Sequence, residues 1–163
     1  MRPAIQKAKS HFNEPISAVE VGVDRGDNAL SILQNVPIRK MYLIDPYVIF
    51  FEKSSNMGRN DDFPKTEFVA KEKLEAYKDK CIWLKQRSDE VNLSPVDFVY
   101  VDGSHEYENV INDLDYFWSI LNPGGILSGH DWQSPGVRRA VQEFSKKMNL
   151  KINLQKPDWW FEK

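Results

Sequence analysis

The chain has 163 residues, of which 41% are hydrophobic and 28% charged, and its formal net charge is −2 at pH 7. This length and composition are typical of a globular domain with its own core, so we expect one domain over residues 1–163. The 22 basic residues do not exceed the 24 acidic ones, so no surplus charge favours a phosphate backbone, and nucleic acid is not expected as a partner.

Three local features bear on compartment and redox chemistry. The single cysteine, Cys81, has no partner for an intrachain disulfide and is expected to be a buried strand residue. Residues Met1–Asn13 are predicted to form an amphipathic helix and not a signal peptide. The longest apolar stretch, Met41–Phe51, is interrupted by Asp45 and Pro46 and is too short to cross a bilayer. We therefore expect a cytoplasmic protein with no membrane partner.

Strand and helix patterns alternate along the chain, which predicts a mainly parallel sheet with helices on both faces. The predicted strands are Ser17–Val23, Lys40–Asp45, Cys81–Lys85, Val96–Asp102, Gly125–His130 and two short strands within Leu150–Lys163. The predicted helices after the first strand are one capped by Asp27 or Asn28, Thr66–Lys78, His105–Leu121 and one opened by Ser134 and Pro135.

Connections between these elements carry further predictions. The polar segment Glu52–Lys65 is predicted to be a mobile loop, able to act as a lid. Asn122–Gly125 is predicted to end the longest helix with a turn. The last two strands are joined by too few residues for a crossover helix, so they must pair antiparallel. The aromatic run Trp159–Phe161 is expected to pack in the core.

A glycine-containing loop, Glu20-Val21-Gly22-Val23-Asp24-Arg25-Gly26, joins the first strand to the next helix. Its G-x-x-x-G spacing differs from the G-x-G-x-x-G that places a dinucleotide pyrophosphate on a helix N-terminus. S-adenosylmethionine has no phosphate; its ammonium suits an acid such as Glu20, and its carboxylate suits the loop amides. The alternative is a plain turn between strand and helix.

Two positions are consistent with an adenosine site. Asp45 ends the second strand, where an acid can accept both ribose hydroxyls; it is equally a turn-forming residue before Pro46. Ser88 follows the third strand, where an adenine would lie in a doubly wound sheet. The alternative for Ser88 and Asp89 is the N-cap of a short helix.

Acid and histidine residues follow the fourth and fifth strands. Asp102 and His105 lie in the sequence VDGSHEY, and His130 and Asp131 lie in SGHDW. Neighbouring strand ends bring these four side chains toward one cleft, where they can bind a divalent cation, or where an imidazole can act as a general base. The alternative is a set of hydrogen-bonded polar residues without chemistry.

Taken together, these stretches resemble class I S-adenosylmethionine-dependent methyltransferases, and within them a small O-methyltransferase-like group with an Asp-Gly-Ser-His motif. The resemblance implies a Rossmann-like, doubly wound α/β sheet of seven strands in the order 3-2-1-4-5-7-6, with strand 7 antiparallel. The stretches that carry the resemblance are AVEVGVDRGDNA, YLIDPY, DFVYVDGSHEYENVINDLDYFWSILNPGGILSGHDW and GVRRAVQEF.

The resemblance also implies roles for individual residues. Glu20, Gly22 and Gly26 would form the cofactor loop, Asp45 would hold the ribose, and Ser88 would contact the adenine. Asp102 would adjoin the cofactor and take part in catalysis, and it would bind Mg²⁺ together with Asp131. His130 stands where some metal-dependent relatives have another acid, which is a departure from their ligand set. His105 would be the catalytic base.

The expected function is therefore transfer of a methyl group from S-adenosylmethionine to a hydroxyl of a small molecule, of sugar or phenol type, with or without Mg²⁺. The chain shows no clear cap domain, so its acceptor pocket is expected to be open or completed by a second subunit in a homodimer. Two other functions stay open: a non-catalytic Rossmann-like scaffold, and an NAD-dependent oxidoreductase, which the missing G-x-G-x-x-G disfavours.

Overall fold

The computed structural model describes residues 1–48, 51–52, 57–58 and 63–163. The helices are α1 (Pro3–His11), α2 (Asp27–Asn35), α3 (Phe63–Leu74), α4 (Tyr107–Ile120) and α5 (Pro135–Met148). The strands are β1 (Ile16–Val21), β2 (Ile38–Ile44), β3 (Phe51–Glu52), β4 (Met57–Gly58), β5 (Cys81–Leu84), β6 (Val96–Val101), β7 (Leu121–Gly129), β8 (Asn153–Gln155) and β9 (Asp158–Glu162). Short 3-10 helices cover Glu75–Lys80 and Ser88–Glu90.

Seven strands form one sheet in the order β5-β2-β1-β6-β7-β9-β8. Numbered along the chain within this sheet, the order is 3-2-1-4-5-7-6. The strands from β5 to β7 pair in parallel, whereas β9 runs antiparallel to both β7 and β8. The Rossmann-like fold class is therefore confirmed, as is the antiparallel pairing of the last two strands.

Helices cover both faces of this sheet. Helices α1, α2 and α3 pack on one face, and α4 and α5 pack on the other. Every residue of β1 is buried, because this central strand has helices on both sides. The largest fully buried side chains include Trp159 and Phe161 of β9, so the C-terminal aromatic residues belong to the core, as expected.

Several predicted boundaries move for identifiable reasons. The N-cap of α2 is Gly26, with φ at 76°, and not Asp27 or Asn28, because the Asn28 side chain bonds Glu20 instead. Cys81 is only half-buried, since β5 is an edge strand. The predicted turn over Asn122–Gly125 lies inside β7, where the pairing with β6 shifts register.

The segment Glu52–Lys65, predicted to be a mobile loop, is described only in part. Residues 53–56 and 59–62 lie outside the described residues, and Phe51–Glu52 (β3) pairs antiparallel with Met57–Gly58 (β4). The following helix begins at Phe63, three residues before the predicted Thr66. Within the described ranges, no helix combines the length and apolar character needed to cross a membrane.

Candidate functional site

A cleft of about 620 Å³ opens at the carboxyl ends of the parallel strands. It lies on both sides of the end of β1, where the strand order reverses, which is where open α/β sheets bind their ligands. Its volume is within the range of small-molecule sites. The predicted site residues that line it are Gly22, Asp45, Ser88, Asp102, His105, His130 and Asp131.

The glycine loop forms the floor of this cleft. Gly22 has φ at 83°, and a Cβ placed on it would lie 2.3 Å from the carbonyl oxygen of Asp102. The amide of Gly22 donates to the carbonyl of Ile44 at 2.9 Å. Gly22 therefore allows the ends of β1, β2 and β6 to meet, a close approach that only glycine permits. Gly26 also has a positive φ, but faces Ala70 at ordinary contact distances.

Asp45 ties the end of β2 to the glycine loop. Its Oδ2 accepts hydrogen bonds from the backbone amides of Val23 and Asp24, each at 3.0 Å, and its Oδ1 accepts one from Tyr47 at 2.8 Å. A carboxylate offers about four acceptor positions, so these bonds leave capacity for a ligand. Asp45 is therefore a turn residue that also lines the cleft, and its contact with a ribose stays a prediction.

Glu20 does not line the cleft, which departs from the prediction that it meets a ligand ammonium. Alternation along β1 turns its side chain toward the face covered by α2, where Asn28 Nδ2 donates to its Oε1 at 2.7 Å. Glu20 is completely buried, and burial raises the pKa of its carboxyl to about 8. Among the described residues, its Oε2 has no hydrogen-bond partner.

Ser88 lies in the 3-10 helix after β5 and bonds the side chain of Asp113 on α4. Asp113 is 5% exposed, and burial raises the pKa of its carboxyl to about 6. This cleft residue was missed by sequence reasoning, although an acid on the apolar stripe of α4 was visible. The N-cap of the short helix is Arg87, not Ser88 or Asp89.

The acid and histidine residues after β6 and β7 converge as predicted. His105 Nε2 lies 2.8 Å from Asp131 Oδ2, and His130 Nδ1 lies 3.1 Å from Asp131 Oδ1. His130 Nδ1 is also 3.6 Å from Asp102 Oδ1. The hydrogen bonds from His105 and His130 hold the pKa of Asp131 well below its usual range, and the bond to Asp131 raises the pKa of His130.

Close packing fixes the loop that carries His105. Ser104 Oγ accepts hydrogen bonds from the Glu106 amide at 3.2 Å and from Asn109 Nδ2 at 2.9 Å. A Cβ on Gly136, at the start of α5, would lie 2.2 Å from the His105 carbonyl oxygen. The glycine lets α5 touch this loop, which places His105 beside Asp131.

Arg2 is a further cleft residue that no sequence pattern indicated. Its Nη1 donates to Asp102 Oδ2 at 2.5 Å and to the hydroxyl of Tyr100 at 3.2 Å. Burial raises the pKa of the Asp102 carboxyl, and the Arg2 guanidinium opposes that rise. One ligand atom from each of Asp102, His130 and Asp131 lies within 4.8 Å of the others, so these three are the candidate metal ligands.

Comparisons with known proteins agree with this architecture. A profile described as "Methyltransferase domain" matches residues 19–132, more than half of the chain. The chain is 25% identical over 148 positions to an uncharacterized protein of Acanthamoeba polyphaga mimivirus, a match that covers 83% of this chain. The chain spans 62% of the length of that viral relative.

Solved structures share the fold at low sequence identity. A Streptococcus mutans protein described as a methyltransferase, solved with S-adenosylhomocysteine (SAH), superposes with a TM-score of 0.72 at 13% identity, covering 99% of this chain and 98% of that one. The O-methyltransferase NovP gives 0.71 at 16% identity, covering 98% and 78%. Proteins described as ribosomal RNA methylases also share the fold. From the profile match, the chain belongs to the methyltransferase domain family.

Proposed function

We propose that the cleft binds S-adenosylmethionine and that the protein transfers its methyl group to a hydroxyl of a small molecule, of sugar or phenol type. One observation carries the proposal. A single cleft joins the glycine loop, Asp45 and Ser88 on one side to the His105–Asp131 pair on the other. Methyl transfer needs both halves, because the donor carbon and the acceptor oxygen must be aligned.

The donor half of the proposal rests on the ends of β1, β2 and β5. In this proposal Asp45 accepts a ribose hydroxyl at its remaining acceptor position and Ser88 contacts the adenine, and both residues line the cleft. The methionine end of the donor then lies over the glycine loop, in which Gly22 lines the cleft.

The acceptor half rests on the His105–Asp131 pair. As the acceptor oxygen attacks the methyl carbon, the carbon–sulfur bond breaks, its electron pair stays on sulfur, and SAH leaves as a neutral thioether. The acceptor proton passes to His105. Asp131 accepts a hydrogen bond from His105 Nε2, and its carboxylate stabilises the imidazolium formed.

The charge of the cleft favours a small neutral acceptor over a nucleic acid. Acidic side chains outnumber basic ones among the described lining residues, which repels a phosphate backbone and suits a cationic sulfonium. The acidic lining residues are Asp24, Asp27, Asp45, Asp89, Asp102, Glu106, Asp113 and Asp131; the basic ones are Arg2, Arg25 and Arg87.

A panel of acceptors tests the proposal. The protein is incubated with S-adenosylmethionine and with sugars, simple phenols or a structured RNA, and the SAH released is measured. We expect SAH release with at least one hydroxyl compound, none with RNA, and loss of release in His105→Ala. Release that depends only on RNA would contradict the acceptor class, and no release at all, despite SAH binding, would favour a non-catalytic scaffold.

A further inference from the structure

The resemblance to metal-dependent methyltransferases raises the question whether Asp102, His130 and Asp131 fit a divalent cation. Mg²⁺ prefers an octahedron of oxygen ligands with carboxylates free to bind it. Two carboxylates and an imidazole are close enough, since one ligand atom from each lies within 4.8 Å of the others. Whether they fit depends on what already occupies their ligand atoms.

Both oxygens of Asp131 are engaged. Oδ2 is held by His105 at 2.8 Å, and Oδ1 by His130 Nδ1 at 3.1 Å and by Gln133 Nε2 at 2.6 Å. A carboxylate only accepts hydrogen bonds, so His130 Nδ1 must carry a proton in this arrangement. A protonated Nδ1 has no lone pair for a metal, so His130 could act as a ligand only through Nε2, which lies 3.9 Å from Asp158 Oδ1.

Asp102, the remaining candidate, is already neutralised by Arg2. The guanidinium Nη1 lies 2.5 Å from Asp102 Oδ2, and the Asp102 side chain is only 16% exposed. A divalent ion bound to this oxygen would have to displace the guanidinium or lie beside its positive charge. The three residues therefore do not fit a Mg²⁺ ion while Arg2 is in place.

A buried network holds Arg2 in this position. The guanidinium lies 5.6 Å from the centre of the Tyr100 ring, and the Tyr100 hydroxyl, which accepts from Arg2, donates to Asp158 Oδ1 at 3.0 Å. Asp158 is fully buried, and its Oδ2 accepts from the amide of Ala4, in the first turn of α1, at 2.9 Å. The beginning of α1 is thus anchored to β9, and Arg2 extends from it into the cleft.

We propose that Arg2 is the resident cation of the cluster formed by Asp102, His130 and Asp131, and that it positions Asp102 without any metal. Its importance for catalysis rests on the proposed function. The exclusion of a divalent cation from the cluster of Asp102, His130 and Asp131 does not rest on the proposed function, because it depends only on the charges and hydrogen bonds around these residues and Arg2. Arg2 is a positioning residue, because it acts through Asp102.

Manganese binding, followed by electron paramagnetic resonance of free Mn²⁺, tests this directly and needs neither methyl donor nor acceptor. We expect Arg2→Ala to bind Mn²⁺ about tenfold or more tightly than the unsubstituted protein, since a unit charge within a few ångströms of the site is removed. Adding Asp131→Asn to Arg2→Ala should abolish that gain. Arg25→Ala is the matched control: it removes the charge of another arginine that lines the cleft, and it should not increase binding.

Arg2→Gln guards against an alanine variant that fails to fold, because it keeps much of the side chain's length without its charge. It should bind Mn²⁺ as Arg2→Ala does, whereas Arg2→Lys should not. Tight Mn²⁺ binding by the unsubstituted protein that is lost in Asp131→Asn would overturn the proposal. Arg2→Ala and Arg2→Gln variants that bind Mn²⁺ no more tightly than the unsubstituted protein would overturn it as well. Failure of the unsubstituted protein to bind SAH would instead refute the proposed function and leave this result standing.

Discussion

His105 Nε2 lies 2.8 Å from Asp131 Oδ2 and thereby links the loops that follow β6 and β7. His130 contacts the other oxygen of the same carboxylate at 3.1 Å. Because a carboxylate accepts and does not donate, this arrangement places a proton on Nε2 of His105. The proposed role of His105, to take a proton from the acceptor, depends on this contact with Asp131.

Replacing His105 with alanine should reduce turnover by about 100-fold or more, the usual effect of removing a general base. SAH affinity should change little, because the donor half of the cleft is untouched. His11→Ala is the control, since His11 contacts the Gly124 carbonyl away from the cleft. Steady-state rates with an acceptor from the panel, together with SAH titrations, check this; unchanged turnover in His105→Ala would remove it from the mechanism.

Asp45→Asn should weaken SAH binding by about tenfold or more and lower the free energy of unfolding by about 1–3 kcal/mol, since a buried amide group loses its acceptor. Asp97→Asn is a matched control. The Asp97 carboxylate also accepts a backbone hydrogen bond, from Ser17 at 2.8 Å, but lies at the opposite end of the sheet. It should lower stability similarly without changing SAH affinity. Equal losses of SAH affinity in both variants would mean that Asp45 acts only through stability.

Alanine substitutions at Gly22 and Gly124 distinguish the stability cost of a strained backbone from the cost of overlapping atoms. Both have positive φ, at 83° and 81°, but a Cβ on Gly124 meets no atom within 4 Å. We expect Gly124→Ala to cost about 1–2 kcal/mol from the left-handed backbone alone. Gly22→Ala should cost a further 1–3 kcal/mol, approximately, because its Cβ overlaps the Asp102 backbone. Urea unfolding of both variants measures the difference, and equal losses would contradict the close approach.

The buried Glu20 predicts a pH dependence of stability. Burial raises the pKa of its carboxyl from 4.5 to about 8, so the folded state favours the protonated form. The stabilisation is fully present below pH 4.5 and is lost as the pH rises through 8. The loss is at most about 5 kcal/mol, at 1.36 kcal/mol per pKa unit.

Glu20→Gln, which cannot ionise, should therefore gain stability relative to the unsubstituted protein between pH 5 and pH 9. Urea unfolding at the two pH values measures this gain. Glu14→Gln is the control, since Glu14 is exposed and its removal should leave the pH dependence unchanged. A gain that stays constant across this range would show that Glu20 is ionised throughout in the folded protein.

Most of the fold could be predicted from the sequence because its elements have strong local patterns. The apolar stripe of α4 and the Ser134–Pro135 start of α5 were recognisable from spacing alone, and the buried strands β1, β2 and β6 from their β-branched residues. The convergence of His105, His130 and Asp131 followed from the rule that parallel strands end at one edge of the sheet. The element boundaries that differ from prediction, at Gly26 and Asn122–Gly125, depend on tertiary contacts that the local sequence does not indicate.

The parts of the site that could not be predicted depend on distant pairings. Arg2 reaches Asp102 only because Asp158 anchors the start of α1, a contact across most of the chain. The sequence predicts that Glu20 meets a ligand ammonium, but the alternation of β1 turns its side chain under α2, toward Asn28. Asp113 is a cleft residue because the packing of α4 on the sheet brings its carboxyl next to Ser88, which bonds it.

The most direct test of the central claim, that this cleft binds the methyl donor, is a calorimetric titration of SAH into the protein, with NAD titrated in parallel. We predict saturable binding of one SAH per chain, weakened about tenfold or more by Asp45→Asn through the lost acceptor, and no binding of NAD. Absence of SAH binding, or NAD binding that is sensitive to the same substitution, would contradict it.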